Sequence, residues 1–118
     1  MPLSAFELDA ILLAQLTERE RARGVEYAAA DTVAAGTTLR FPQCEIEVDR
    51  DSALAFVDRE PLANWGHSCR YLLAQLDDGA VRSVDARFPP FPSGGRLRWR
   101  VLYRAPGLPD AVLAAFHA

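Results

Sequence analysis

The sequence has no lysine. All thirteen basic residues are arginine, a planar, permanently charged, bidentate group that suits ion pairs inside sheets and interfaces. A coding bias explains this more simply than a function does. Positive charge is not in excess either: sixteen acidic residues leave a formal net charge of −3. No global field draws in polyanions, so nucleic acid is not an expected partner.

Long apolar runs are also missing. Runs such as Ala10 to Ala14 are far too short to span a bilayer. Met1-Pro2-Leu3-Ser4 lacks the basic segment and apolar core of a signal peptide. A cytoplasmic location away from membranes is therefore expected, with Cys44 and Cys69 as reduced thiols. An oxidising compartment would permit one bridge between them.

Cysteine and histidine are too few and too scattered for a metal centre. Cys44, Cys69, His67 and His117 show no CxxC or HxxxH spacing, whereas zinc takes three or four ligands at short paired intervals. Asp49, Asp51 and Asp58 do not follow the calcium-loop pattern. Gly94-Gly95 lacks the glycine spacing and the Lys-Ser/Thr of a phosphate loop. No cofactor or metal is expected.

What remains is an ordinary globular composition, half apolar and a quarter charged in 118 residues, enough for one domain over 1–118 with its own core. Ser4-Ala5-Phe6-Glu7 fits a capping box. Leu8, Ile11, Leu12 and Leu16 follow on one stripe, widened by Phe6 and Leu13. With Gly24 as a stop, the pattern predicts a helix from Ala5 to Arg23. Val25 to Gly36 reads as irregular or briefly helical.

From residue 37 the period changes to two. Cys44, Ile46 and Val48 alternate with Glu45, Glu47 and Asp49, the pattern of a strand with one wet face. Ala53 to Asp58 is expected to pair with it as a hairpin across Asp49-Arg50-Asp51-Ser52. Cys69 to Leu76 is apolar on both faces, which predicts a central strand. Asp77-Asp78-Gly79 carries a hairpin dipeptide leading to a fourth strand, Ala80 to Phe88. Pro89 to Gly95 is a stiff connection, for which a docking role of the Pro89/Pro92 P-x-x-P is the lesser reading. In the fifth strand Leu97, Trp99, Val101 and Tyr103 take one face, and Arg96, Arg98, Arg100 and Arg104 the other. Pro109 begins a short terminal helix. The expected fold is α+β: an N-terminal amphipathic helix packed on a mainly antiparallel sheet of about five strands, with a short C-terminal helix. The alternative is a β-sandwich with a helical appendage.

Two segments concentrate chemistry. Around Asn64-Trp65-Gly66-His67-Ser68-Cys69, His67 would serve as base toward the Cys69 thiol, Asn64 would orient the imidazole, and backbone donors near Gly66 would serve an oxyanion. The two-residue spacing argues against this, because such pairs usually come from distant parts of a chain. A small-ligand pocket around Trp65, His67, Arg70 and Tyr71 is a second reading. A structural loop, with Cys69 as a buried small hydrophobe, is the plainer one. The arginine face of the last strand would bind phosphates, carboxylates or an acidic partner, or pair internally with Glu45, Glu47 and Asp49. The leading expectation is a non-enzymatic protein-interaction module, acting as accessory subunit, adaptor or regulator. Its partner would be another protein or a second copy of the chain, met through the loop or through Arg96, Arg98 and Arg100.

Overall fold

Two reciprocal caps build the helical layer of the computed structural model, which describes residues 2–64, 66–90 and 97–116. Helix α1 spans Ala5–Ala14. The Ser4 hydroxyl accepts from the Glu7 amide at 3.1 Å, and the Glu7 carboxylate accepts from the Ser4 amide at 3.0 Å. The expected single helix to Arg23 is broken. Thr17 is extended (φ −71°, ψ 162° at Ser4 and φ −73°, ψ 166° at Thr17 are the same capping conformation), and it opens a second helix, α2, over Glu18–Arg23. Thr17 and Glu20 repeat the exchange at 3.1 and 2.9 Å. A residue in that conformation cannot continue a helix but satisfies the orphan donors of the next one. Leu8, Leu12 and Leu16 are buried as the stripe predicts, but Phe6 is 82% exposed and does not belong to it.

Among the described residues the main sheet contains five strands: β1 (Val25–Ala29), β4 (Ser52–Asp58), β5 (Cys69–Gln75), β6 (Val81–Ala86) and β7 (Trp99–Arg104). They lie in the order β6-β5-β4-β1-β7, with every pair antiparallel. Strands β2 (Thr38–Phe41) and β3 (Cys44–Glu47) form a separate hairpin. The sheet is covered on both faces. Leu8, Leu12 and Leu16 pack on Ala55, Val57, Leu72 and Ala74 on one side. On the other, Leu39, Ile46 and Val48 of the hairpin region pack on Tyr27, Leu54, Phe56, Tyr71 and Leu73, joined by Leu108, Val112 and Leu113 near the C-terminal 3-10 turn Asp110–Phe116. A helical layer on one face and a hairpin on the other make this an α+β fold.

Strand β5 is interior and buried on both faces, as its composition predicts. The Asp77-Asp78-Gly79 turn also forms: Gly79 has φ +73°, and the Ala80 amide donates to Asp78 at 2.9 Å.

Four expectations need correction. First, Val25–Ala29 is not irregular but a nearly fully buried strand inside the sheet. Its alternation is hidden because Val25 and Tyr27 face one layer while Glu26 and Ala28 face the other, so a charged residue occupies a core position. Second, the segment at 44–49 does not pair with 53–58. Its partner is β2, across a two-residue turn in which Gln43 takes φ +55°, and β4 is used up by β1 and β5.

Third, the last strand does not keep one apolar face. Tyr27 pairs with Val101 but Glu26 pairs with Tyr103, leaving Leu102 as the extra residue of a bulge. A bulge reverses the side on which later residues fall. Leu97 and Trp99 therefore join the hairpin-side core and Leu102 and Tyr103 the helix-side core. Val101 is 38% exposed. Fourth, the arginine strand and the acidic strand are not neighbours, because β7 borders β1 and β3 borders β2.

Gly24 closes α2 where two backbones meet. A Cβ there would lie 2.8 Å from the Asp58 carbonyl oxygen and 2.9 Å from that of Glu20, both main-chain atoms. Its carbonyl also accepts the Ala105 amide at 3.0 Å. Gly24→Ala is expected to destabilise the fold by about 1–3 kcal/mol, the usual range for overpacking. Chemical denaturation, read as a lower midpoint at unchanged slope, checks this.

Candidate functional site

The turn after β4 places the residues singled out in the loop. Asp58, the last residue of β4, is buried and shares its face with Phe56 and Leu54. Its Oδ1 lies 2.8 Å from Nε2 of His67 and accepts the Glu60 amide at 3.1 Å. On the other side of the ring, Nδ1 donates to the main-chain carbonyl of Asn64 at 2.8 Å. A carbonyl only accepts, so the Nδ1 proton is fixed there. Burial pushes the Asp58 carboxyl above the ordinary aspartate value, and the His67 contact offsets this only in part. Gly66 (φ +98°) and Arg87 staple the loop, amide to carbonyl at 3.2 Å and Arg87 Nε to the Gly66 carbonyl at 2.9 Å.

Asn64 thus orients His67, but through its backbone oxygen, and both imidazole nitrogens face partners other than the thiol. Cys69 is fully buried. Its Sγ donates to the Phe88 carbonyl at 3.7 Å. Burial, followed by the nearby Asp58 charge, pushes the thiol up to about 12. At neutral pH it is a thiol, not the thiolate that attacks carbonyls or binds metal. Cys44, half-buried, is raised by burial too. No three His, Cys, Asp or Glu side chains among the described residues gather as a metal site requires.

Arg70 and Tyr71 are adjacent on β5 and therefore face opposite layers. Tyr71 lies in the hairpin-side core, stacked on Phe41 at 4.5 Å, with its hydroxyl donating to the Phe88 carbonyl at 3.1 Å. Arg70 points under the helices. Both residues are buried, so they do not line one pocket with His67. Trp65, Arg96 and His117, like residues 91–95 of the proline-rich connection, lie outside the described residues.

The polar cluster that sequence reading missed is on the helix side. The Arg70 guanidinium grips both Glu20 oxygens, Nε to Oε2 at 2.9 Å and Nη2 to Oε1 at 2.7 Å. It also donates to the Gln15 carbonyl at 2.8 Å and to Ser83 at 3.2 Å. Arg59 adds a bond to Glu20 at 2.9 Å and one to Ser68 at 2.6 Å. Burial alone would raise the Glu20 carboxyl. Hydrogen bonds from Arg70, the Thr17 amide and Arg59 outweigh it and hold the group at about 2. Unfolded, Glu20 has its ordinary value of 4.5. The stabilisation is therefore whole above pH 4.5 and is lost as pH falls toward 2. The Thr17-x-x-Glu20 spacing was the available signal for this cap.

Glu26 is the second missed residue. It is fully buried, and neither carboxyl oxygen has a hydrogen-bond partner among the described residues. Burial pushes it up to about 8, against the pull of Arg70.

On β7, Arg100 bonds Asp9 at 2.6 Å and Arg104 bonds Asp110 at 2.6 Å, and just before it Arg98 lies 3.9 Å from Asp31. These acids replace the expected Glu45, Glu47 and Asp49. Glu45 instead meets Arg40 at 3.4 Å, and the Glu47 carbonyl accepts from Arg82 at 2.7 Å. The Arg98 and Arg100 side chains remain 79% and 47% exposed. No helix among the described residues is long and apolar enough to cross a membrane. A depression of about 570 Å³ lined by Pro2, Asp49, Asp51, Leu76 and Asp77 lies at the opposite end of β5 from His67.

Two outcomes follow. Arg70→Met leaves the Glu20 charge buried without its main partner and should cost about 3–5 kcal/mol, with the Glu20→Leu/Arg70→Met double variant recovering much of it; denaturation midpoints of the three proteins decide. In the folded protein near neutral pH, iodoacetamide should modify Cys44 before Cys69, and mass mapping of the labelled peptides reads the order.

Comparison with protein-family models, with curated proteins and with solved structures yields no match to this chain.

Proposed function

We propose that the chain is a non-enzymatic protein-interaction module, an accessory, adaptor or regulatory subunit, that meets an acidic partner segment along β7. The observation that carries this is the position of β7. It is an edge strand, bordered on one side by β1 and on the other by no strand among the described residues, and it presents Arg100 and Val101 to solvent, with exposed Arg98 immediately before it. An exposed edge is a template for an added strand. Arginines along it select carboxylates through paired, planar hydrogen bonds.

The remaining chemistry points away from catalysis. The Cys69 thiol is buried and protonated, both His67 nitrogens are occupied, and the Arg70 guanidinium is spent on Glu20. The surface acids Asp9 and Asp31 already shield Arg100 and Arg98, and an acidic segment would displace them. Pairing of β7 with a second copy would bring like charges together, which disfavours a homodimer through this edge. A cytoplasmic location suits this reading, since both cysteines are free thiols.

A pull-down comparing wild type with the Arg98→Glu/Arg100→Glu variant tests the proposal. The wild type should retain a protein at near one-to-one ratio that the variant loses, while both keep the same thermal midpoint within a few degrees. An unchanged set of retained proteins would sink the β7 surface.

A further inference from the structure

Five side chains form a row across the sheet beneath the helices. Tyr103 of β7 is in register with Glu26 of β1, Glu26 with Val57 of β4, Val57 with Arg70 of β5, and Arg70 with Asp85 of β6. Glu26 and Arg70 are thus separated only by the small Val57. Two strand spacings set their backbones roughly 10 Å apart, within the combined reach of a glutamate and an arginine side chain.

The groups that surround Glu26 come from every element packed on it. Asp9 comes from α1, Glu20 and Arg21 from α2, and Arg70 from β5. Tyr103, its β7 neighbour, donates its hydroxyl to the Arg21 carbonyl and so ties β7 to α2. Asp9 is held by Arg100, and Glu20 by Arg70 and Arg59. One buried guanidinium therefore serves one carboxylate while a second carboxyl, fully buried and without a hydrogen bond of its own among the described residues, stands two strands away.

We propose that Glu26 is a proton-operated latch for the helical layer: neutral, it lets α1 and α2 seat on the sheet, and ionised, it draws Arg70 off Glu20 and frees α2. An uncharged carboxyl tolerates a dry site, whereas a carboxylate demands a partner or water. Arg70 exerts the largest favourable pull on Glu26, and its present bonds to Glu20, to the Gln15 carbonyl and to Ser83 are what fasten α2, the end of α1 and β6 together. Moving the guanidinium toward Glu26 breaks that joint at its centre. Of the three guanidinium bonds to Glu20 only the one from Arg59 would then remain, so the helices loosen while the strand ladders of the sheet hold.

The sign of the dependence is fixed by linkage. The folded group is raised to about 8 from an ordinary 4.5. The folded chain therefore holds one proton more than the unfolded chain between those values, and the stability carried by that proton is whole below 4.5 and is lost as pH rises through 8.

Amide hydrogen exchange from about pH 7 to 9.5, corrected for the intrinsic rate, is the test. In wild type the Arg21 and Gly24 amides, which bond Thr17 and Glu20 carbonyls, should lose tenfold or more of their protection around pH 8 while the β4 and β5 amides keep theirs. Glu26→Gln should keep its α2 protection throughout. Constant protection in wild type, equal loss in the sheet, or the same loss in Glu26→Gln would overturn the latch. Should Glu26→Gln not fold, the carboxyl carbon resonance of Glu26 in wild type decides: a titration between about pH 7 and 9 supports the latch, and one near 4.5 or none below pH 10 refutes it.

Discussion

The grip of Arg70 on Glu20 is the joint on which the architecture turns. Glu20 is a helix cap, a salt-bridge acceptor and a core residue at once. Removing two such charges from water costs several kcal/mol per ion unless every lone pair and proton is used. Here nearly all are: both carboxylate oxygens are shared among two guanidinium groups and a backbone amide, and Arg70 also spends donors on a helix-end carbonyl and a serine. A pair so thoroughly hydrogen-bonded orients more than it stabilises. It sets where α2 begins, how β5 and β6 lie beneath it, and which side of the sheet the helices occupy.

The hairpin-side face depends on a different kind of contact. Tyr71 stacks on Phe41 and lies 5.1 Å from Phe56, which in turn lies 6.2 Å from Tyr27. These rings belong to four strands in two sheets, so the β2–β3 hairpin is seated by aromatic packing rather than by a shared ladder. The hairpin also covers the apolar surface that one helix and a terminal turn would leave bare. A need to hide apolar surface is therefore no argument for a partner, and the case for one rests on the β7 edge alone.

Much of this was legible in the residues, and the exceptions share a cause. The Ser4 cap, the two-faced β5, the Asp78-Gly79 turn and the wet face of Glu45 and Glu47 are local features, fully expressed within a few residues. Long-range pairing is not local. Nothing near Val25 announces that it will lie between β4 and β7, and Glu26 argues against burial when read by itself. Thr17-x-x-Glu20 was readable and was overshadowed by the continuing leucine stripe. The bulge at Leu102 leaves the alternation Leu97, Trp99, Val101, Tyr103 intact on paper and reverses it in space. In the loop, Cys69 and His67 were close in sequence as expected, but the fold gave the imidazole to Asp58, a residue notable in the sequence only as the polar end of an apolar run.

The bulge has one more effect. It divides the outer rim of β7 into two short stretches that differ in twist, since an extra residue coils the chain locally. An incoming strand can follow the rim for only a few residues before its hydrogen-bonding groups fall out of step. Endless stacking of chains edge to edge, the hazard of any open sheet, is thereby interrupted by a single residue, Leu102, whose side chain packs half-buried against the helix-side core.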